Sequence, residues 1–119
     1  MQNQKANIIV EKTLSFSIEI IKFSEQLELQ KKYVIAKQLL RAGTSIGANV
    51  WEAQNAESKV DFIHKMKIAA KEADETSYWL KLCELSETYP KPQKVIIEEL
   101  TQIIRIISKI ISSSKVDSK

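Results

Sequence analysis

The single histidine of the chain lies three residues after an aspartate, in the tetrapeptide DFIH (Asp61 to His64). This spacing places both side chains on one face of a helix, and di-iron helical bundles use two such carboxylate-x-x-His pairs together with further glutamates. Because the chain has one histidine, the second pair is missing. The sequence therefore predicts a surface role for His64, and neither a metal nor another cofactor.

Cys83 and the acidic cluster Glu72, Asp74 and Glu75 are the remaining candidates for catalysis. A nucleophilic cysteine needs a nearby base, and His64 lies about five helical turns from Cys83. A buried structural cysteine is the preferred interpretation. The carboxylates form either a solvated face or ion-pair partners for basic side chains. No glycine-rich phosphate loop is present, so we expect that the protein is not an enzyme.

Basic side chains, one aspartate and one tyrosine follow each other along one side of the third predicted helix. Basic residues interleaved with an aromatic ring can follow a nucleic-acid backbone, although lysine rows are also common on solvated helices. The net charge is a mild +3, from 18 basic and 15 acidic residues. We call this row, which lies on the third predicted helix (α3, about residues 58–88), the α3 stripe: His64, Lys67, Lys71, Asp74, Tyr78 and Lys81. The predicted nucleic-acid contacts are Lys67, Lys71, Lys81 and Arg41, and Arg41 has Glu72 or Glu75 as alternative partners.

Hydrophobic periodicity places these residues on four helices of one domain spanning residues 1–119. The helices are predicted at about residues 5–27, 31–55, 58–88 and 92–111, with a polar, frayed tail at 112–119. Ser58, followed by Asp61, predicts the start of the third helix. Because three short connections force antiparallel neighbours, the predicted fold is an all-α, up-down-up-down four-helix bundle.

Each helix has a predicted buried seam, and some apolar arcs extend beyond it. The arcs of the first and fourth helices are wider than one seam needs, which indicates either a second subunit or a thick core. Apolar residues recur at intervals of three and four, and we take them as the core. The seams are Ile9, Phe16, Ile20, Phe23 and Leu27; Ile35, Leu39, Ala42, Ile46, Asn49 and Ala53; Ile63, Met66, Ala70, Ala73, Ser77 and Leu80; and Ile96, Leu100, Ile103, Ile107 and Ile110.

Gly43 and Gly47, the only glycines, lie inside the second predicted helix. Each costs a helix about 1 kcal/mol relative to alanine, which close packing can offset. Folding the second and third helices together predicts that this notch meets Ala69, Ala70 and Ala73; a helix from another subunit is the alternative. Asn49 and Trp51 complete the predicted packing or oligomer notch, and Asn49, in the same seam, is predicted to fix register or oligomeric state.

No apolar run approaches the roughly 20 residues of a membrane span. The N-terminal stretch MQNQKANIIVEK also lacks the apolar core of a signal peptide. A single cysteine excludes an internal disulfide and suits a reducing compartment. We therefore expect a cytoplasmic protein that does not enter a membrane.

The stretch LLRAGTSIGANVWEAQNAESKVDFIHKMKIAAKEADETSYWLKL, residues 39–82, resembles a family of small four-helix bundles. Its members are encoded in intervening sequences of bacterial large-subunit ribosomal RNA genes and are often labelled as ribosomal proteins. The stretch is also similar to accessory proteins of diversity-generating retroelements. The chain departs from the shared pattern at Trp51, where smaller or polar residues are usual. The matching motif residues are Arg41, Ser45, Asn49, Glu52, Asp61, Phe62, Lys71 and Glu72.

The resemblance implies a homopentamer with a central channel and no catalysis. For the retroelement relatives it implies a basic barrel that binds reverse transcriptase and nucleic acid. Two functions remain open at this point. One is a homo-oligomeric module that binds ribosomal or other structured RNA. The other is a structural module whose partner is a protein and which has no nucleic-acid role.

Overall fold

The computed structural model describes residues 4–117, which form four α-helices and no strand. The helices form a bundle about 50 Å long and 20 Å across. Helices α1 and α3 each pack against both α2 and α4. This arrangement confirms the predicted all-α four-helix bundle. The helices are α1 (Gln4–Leu29), α2 (Tyr33–Ala53), α3 (Lys59–Leu85) and α4 (Lys94–Asp117).

The start of α3 is fixed by the predicted cap. The Ser58 side chain accepts a hydrogen bond from the backbone N–H of Asp61 at 3.0 Å. In return, the Asp61 carboxylate accepts the backbone N–H of Glu57 at 3.4 Å. The first contact satisfies a backbone donor of the first turn that has no intrahelical partner, and the second ties the residue before the cap to the helix. Ser58 and Asp61 therefore hold the beginning of the helix that carries the candidate site.

The predicted frayed tail at 112–119 is wrong over most of its length. Helix α4 continues to Asp117, and residues 118–119 lie outside the part of the chain that the structure describes. No glycine or proline follows Ile111, so nothing in the local sequence forces the helix to stop. Along this last part of the helix, Ser114 is half-buried, whereas Ser112, Ser113 and Lys115 are exposed.

One core cluster unites the four helices. Every residue of the seams predicted for α1 and α4 is buried, including Phe16, Ile20 and Ile107. The seam predicted for α3 drifts by one residue, because Ser77 is exposed whereas Thr76 is buried. Thr76 can occupy the core because its hydroxyl donates a 2.7 Å hydrogen bond to the Glu72 carbonyl.

The apolar residues outside the seams of α1 and α4 differ in how far they are buried. On α4 the additional isoleucines, such as Ile104 and Ile106, are partly buried against the core. On α1 the additional residues Leu14, Ile18 and Ile21 are exposed. A thick core therefore accounts for the arc of α4, while the arc of α1 remains uncovered in a single subunit.

Both glycines face α1 rather than the predicted alanines of α3. A Cβ at Gly43 would lie 2.7 Å and 2.9 Å from the two Cγ atoms of Ile20. A Cβ at Gly47 would lie 3.3 Å from Ser17 Oγ and from Thr13 Cβ. The missing side chains thus allow α1 and α2 to approach closely within one subunit. The α3 side of α2 instead carries Arg41, which contacts Glu72.

Candidate nucleic-acid interface

The α3 stripe lies on the outer surface of the bundle, and all of its members are exposed. Its residues recur at intervals of three and four, as do the buried residues Met66, Ala69, Ala73 and Leu80 of the same helix. The two rows occupy different faces because α-helical side chains at these spacings stack along one face. Because the seam is buried in the bundle, the stripe on the other face of α3 points into solvent.

Lys67 and Lys71 are the two stripe lysines with unengaged ammonium groups. They lie one helical turn apart, and neither forms an ion pair or hydrogen bond with another described residue. Lys81 differs, since its ammonium group lies 3.2 Å from the Glu84 carboxylate. That pair is exposed, and exposed pairs contribute little free energy. All three lysines can therefore approach a phosphate backbone.

Arg41 has a different environment from the lysines with which it was grouped. Its guanidinium contacts the carboxylates of Glu75 and Glu72, the latter at 3.4 Å. Hydrogen bonding to Glu75 and the charges of both carboxylates raise the pKa of Arg41. The structure thus shows the alternative partners of Arg41, and this side chain links α2 to α3.

Glu75 also accepts a 3.1 Å hydrogen bond from the indole N–H of Trp79. The Trp79 ring contacts the Tyr78 ring edge-to-face, with centroids 5.2 Å apart. Tyr78 is the aromatic member of the stripe, and this contact orients its ring from within the bundle. A chain of contacts therefore connects Arg41 of α2, through Glu75 and Trp79, to Tyr78 of the stripe.

The pH dependence of stability should report on Glu75. Hydrogen bonds from Arg41 and Trp79 hold the pKa of Glu75 below its ordinary value of 4.5. A depressed pKa stabilises the folded state above the unfolded pKa, and this stabilisation is lost as pH falls through the lower folded value. We expect the melting temperature to fall more steeply between pH 5 and pH 3 in the wild type than in Glu75→Gln. Thermal denaturation of both proteins across this pH range measures the difference. Parallel curves would contradict this assignment.

Most residues of the shared sequence motif hold the bundle together. Glu52 forms a 2.9 Å ion pair with Lys65, so it also joins α2 to α3. Phe62 packs against the core, and Asp61 belongs to the cap of α3. Lys71 is the exception, because it is exposed and forms no ion pair or hydrogen bond within residues 4–117. The bundle gives no structural reason for a lysine at this position.

Asn49 and Trp51 lie on opposite sides of α2. Asn49 is half-buried and donates a 2.9 Å hydrogen bond to the Ser45 carbonyl of its own helix. Its role in fixing register or oligomeric state remains a prediction. Trp51 is 58% exposed and lines a groove of about 350 Å³ between α1 and α2, beside Gly47. Sequence spacing does not indicate this groove, because it predicts that the glycines face α3.

The candidate catalytic residues are not brought together. Cys83 is buried, and burial raises the pKa of its thiol against the smaller opposing effect of Lys91. His64 is exposed on the stripe, as predicted. Within residues 4–117, no three histidine, cysteine, aspartate or glutamate side chains converge into a potential metal site. None of the described helices is both long and apolar enough to cross a membrane.

Comparisons with known proteins agree with the motif and the fold. The model of the 23S rRNA-intervening sequence protein family matches residues 5–112. A solved structure from Bacteroides thetaiotaomicron, described as a protein of unknown function from the S23 ribosomal protein family, is 41% identical in sequence. It superposes with a TM-score of 0.86, over 92% of this chain and 99% of that chain. No match was found among curated proteins. The chain belongs to the 23S rRNA-intervening sequence protein family.

Proposed function

We propose that the protein is a non-enzymatic, homo-oligomeric module that binds structured RNA through the α3 stripe. Its assembly contains five copies, in keeping with the homopentamer that the sequence resemblance implies. It acts in the cytoplasm and needs no cofactor. The bound RNA is recognised mainly through its phosphate backbone, so binding is weak and largely independent of base sequence.

Lys71 is the observation that carries this proposal. The structure gives most of the other motif residues contacts inside the bundle, whereas Lys71 points its charge into solvent beside Lys67. A lysine that the fold does not need is a candidate for contact with an external anion. Phosphate groups are such anions, and neutralising them releases condensed counterions. Membership of a family named for ribosomal RNA intervening sequences supports RNA as the source of the phosphates.

Assembly into five copies repeats the α3 stripe and so raises the apparent affinity for RNA. One subunit has a formal charge of +3, which gives only mild attraction to RNA. Five subunits carry a formal charge of about +15 and present the stripe five times. Repeated sites on one particle raise apparent affinity without any new kind of contact. The mild charge of the single chain is therefore compatible with measurable RNA binding.

The test replaces Lys67, Lys71 and Lys81 together with glutamate. We expect this variant to lose at least about tenfold in affinity for a structured RNA, because several phosphate contacts are removed at once. Affinity is measured by fluorescence anisotropy at low salt. Circular dichroism and light scattering should show unchanged helix content and assembly, since all three side chains are exposed.

A matched control replaces Lys22, Lys59 and Lys94, which are exposed and outside the stripe, with glutamate. It changes the net charge by the same amount, so the difference between the two variants isolates the stripe from overall charge. Equal losses in both variants would contradict the stripe as the binding surface. No binding by the wild type at low salt would instead favour the protein-interaction module.

A further inference from the structure

The outer surface formed by α1 and α2 is apolar across its centre. On α1, Leu14, Ile18 and Ile21 are 52%, 49% and 43% exposed, and on α2, Leu40 and Trp51 are 38% and 58% exposed. We call these five residues the apolar α1–α2 face. Within the described chain, no comparable group of large apolar side chains is exposed at the centre of α3 or α4.

A ridge and a groove lie side by side on this surface. Leu14, Ile18 and Ile21 follow each other at intervals of four and three, so they form one continuous ridge along α1. The groove of about 350 Å³ runs between this ridge and Trp51, and it is lined partly by the small residues Ser17, Gly47 and Ala48. Any side chain at Gly47 would occupy space that belongs to the groove.

The chemistry of the surface excludes RNA as its occupant. None of the residues that line the groove or form the face carries a charge. An RNA backbone needs cationic partners, and those lie on the α3 stripe. The exposed side chains of the face amount to on the order of 500 Å², near the upper limit for an ordinary monomer surface. A stable protein interface buries roughly 800 Å² per partner, so the apolar residues would supply more than half of such an interface and a polar rim the rest.

We propose that the apolar α1–α2 face is the surface through which copies of this chain contact one another. The ridge of one copy packs into the groove of its neighbour, with Trp51 closing over the contact. A second copy fits because the ridge and the groove are different parts of this face, so each copy can offer its ridge to one neighbour and its groove to the other, as a closed ring of five requires. This inference rests on the proposed homo-oligomer and adds the location of its interface. It also leaves the α3 stripe free for RNA.

The test compares Trp51→Glu with Tyr78→Glu, because both aromatic rings are 58% exposed and only Trp51 belongs to the face. Light scattering at micromolar concentration should give about five times 13.6 kDa for the wild type and for Tyr78→Glu. Trp51→Glu should shift the mass to that of a single chain, since a carboxylate cannot be desolvated in an apolar contact. Circular dichroism should show the same helix content in all three proteins.

A second variant, Leu14→Lys, introduces a charge on the ridge and should dissociate the assembly in the same way. If both Trp51→Glu and Leu14→Lys remain assembled, the face is not the interface, although the homo-oligomer itself stands. If Tyr78→Glu dissociates as readily as Trp51→Glu, the assignment to this face is overturned. A monomeric wild type would overturn both this inference and the proposed homo-oligomer.

Discussion

Gly43→Leu is expected to lower the free energy of unfolding by about 3 kcal/mol, at the upper end of the usual range for overpacked cores. The Cβ alone would lie 2.7 Å from a Cγ atom of Ile20, and Ile20 is fully buried. Because that atom belongs to a β-branched side chain, which is stiff at χ1, α1 and α2 would have to move apart. Urea denaturation at one fixed protein concentration measures the effect.

Gly47→Leu is the matched control for this effect. Its Cβ would lie 3.3 Å from its nearest neighbours, and the remaining side chain can extend into the groove. We therefore expect a clearly smaller loss of stability than for Gly43→Leu. Equal losses for the two variants would show that the close approach of the helices is not centred on Gly43 and Ile20.

Phe16→Ala is expected to destabilise the protein by about 3–5 kcal/mol, because it removes a large side chain and leaves a cavity. Phe16 is 1% exposed and belongs to the core cluster. Leu14→Ala, two residues earlier on α1, is the control, since Leu14 is 52% exposed. Its effect on the folded subunit should stay near 0.5 kcal/mol, as for surface substitutions.

Urea denaturation of both substitutions in the Trp51→Glu background, which we expect to be a single chain, provides the comparison. A small loss for Phe16→Ala would contradict the burial of this side chain. A large loss for Leu14→Ala within a dissociated subunit would mean that the apolar α1–α2 face is part of the core. The two results together separate residues that fold the subunit from residues that we propose join subunits.

The seams of α1 and α4 could be predicted from the sequence because isoleucine, leucine and phenylalanine dominate them. Burial of such side chains yields more free energy than any local alternative, so periodicity identifies the inner face. The seam of α3 is built from smaller residues, including Ala69, Ala73 and Thr76. Its pattern distinguishes the inner face less sharply, and it therefore predicts Ser77 rather than Thr76 in the core.

The glycines show a second limit of sequence spacing. Counting residues from a turn predicts the level at which two antiparallel helices meet, and Arg41 does meet Glu72 across α2 and α3. Counting does not say which side of a helix faces which neighbour. The glycines lie at the predicted level on the side that faces α1, where Ile20 and Thr13 take the space left free.

The candidate site was predictable in outline. The spacing of Lys67, Lys71 and Lys81 placed them on one helical face, and the structure shows that face exposed. Whether Arg41 is available for nucleic acid, like these lysines, depends on whether its side chain reaches Glu72 and Glu75, and in the structure it does. That distance is a property of helix packing, so the sequence left both partners open.

The most direct test of RNA binding by the α3 stripe is the salt dependence of affinity for a structured RNA. If Lys67, Lys71 and Lys81 of several subunits contact phosphates, affinity should fall at least about tenfold between roughly 50 mM and 200 mM salt. Fluorescence anisotropy of the wild type across this range gives the slope. A steep loss is the result we expect. Affinity that does not change with salt, or the absence of binding at 50 mM, would contradict RNA binding by the α3 stripe.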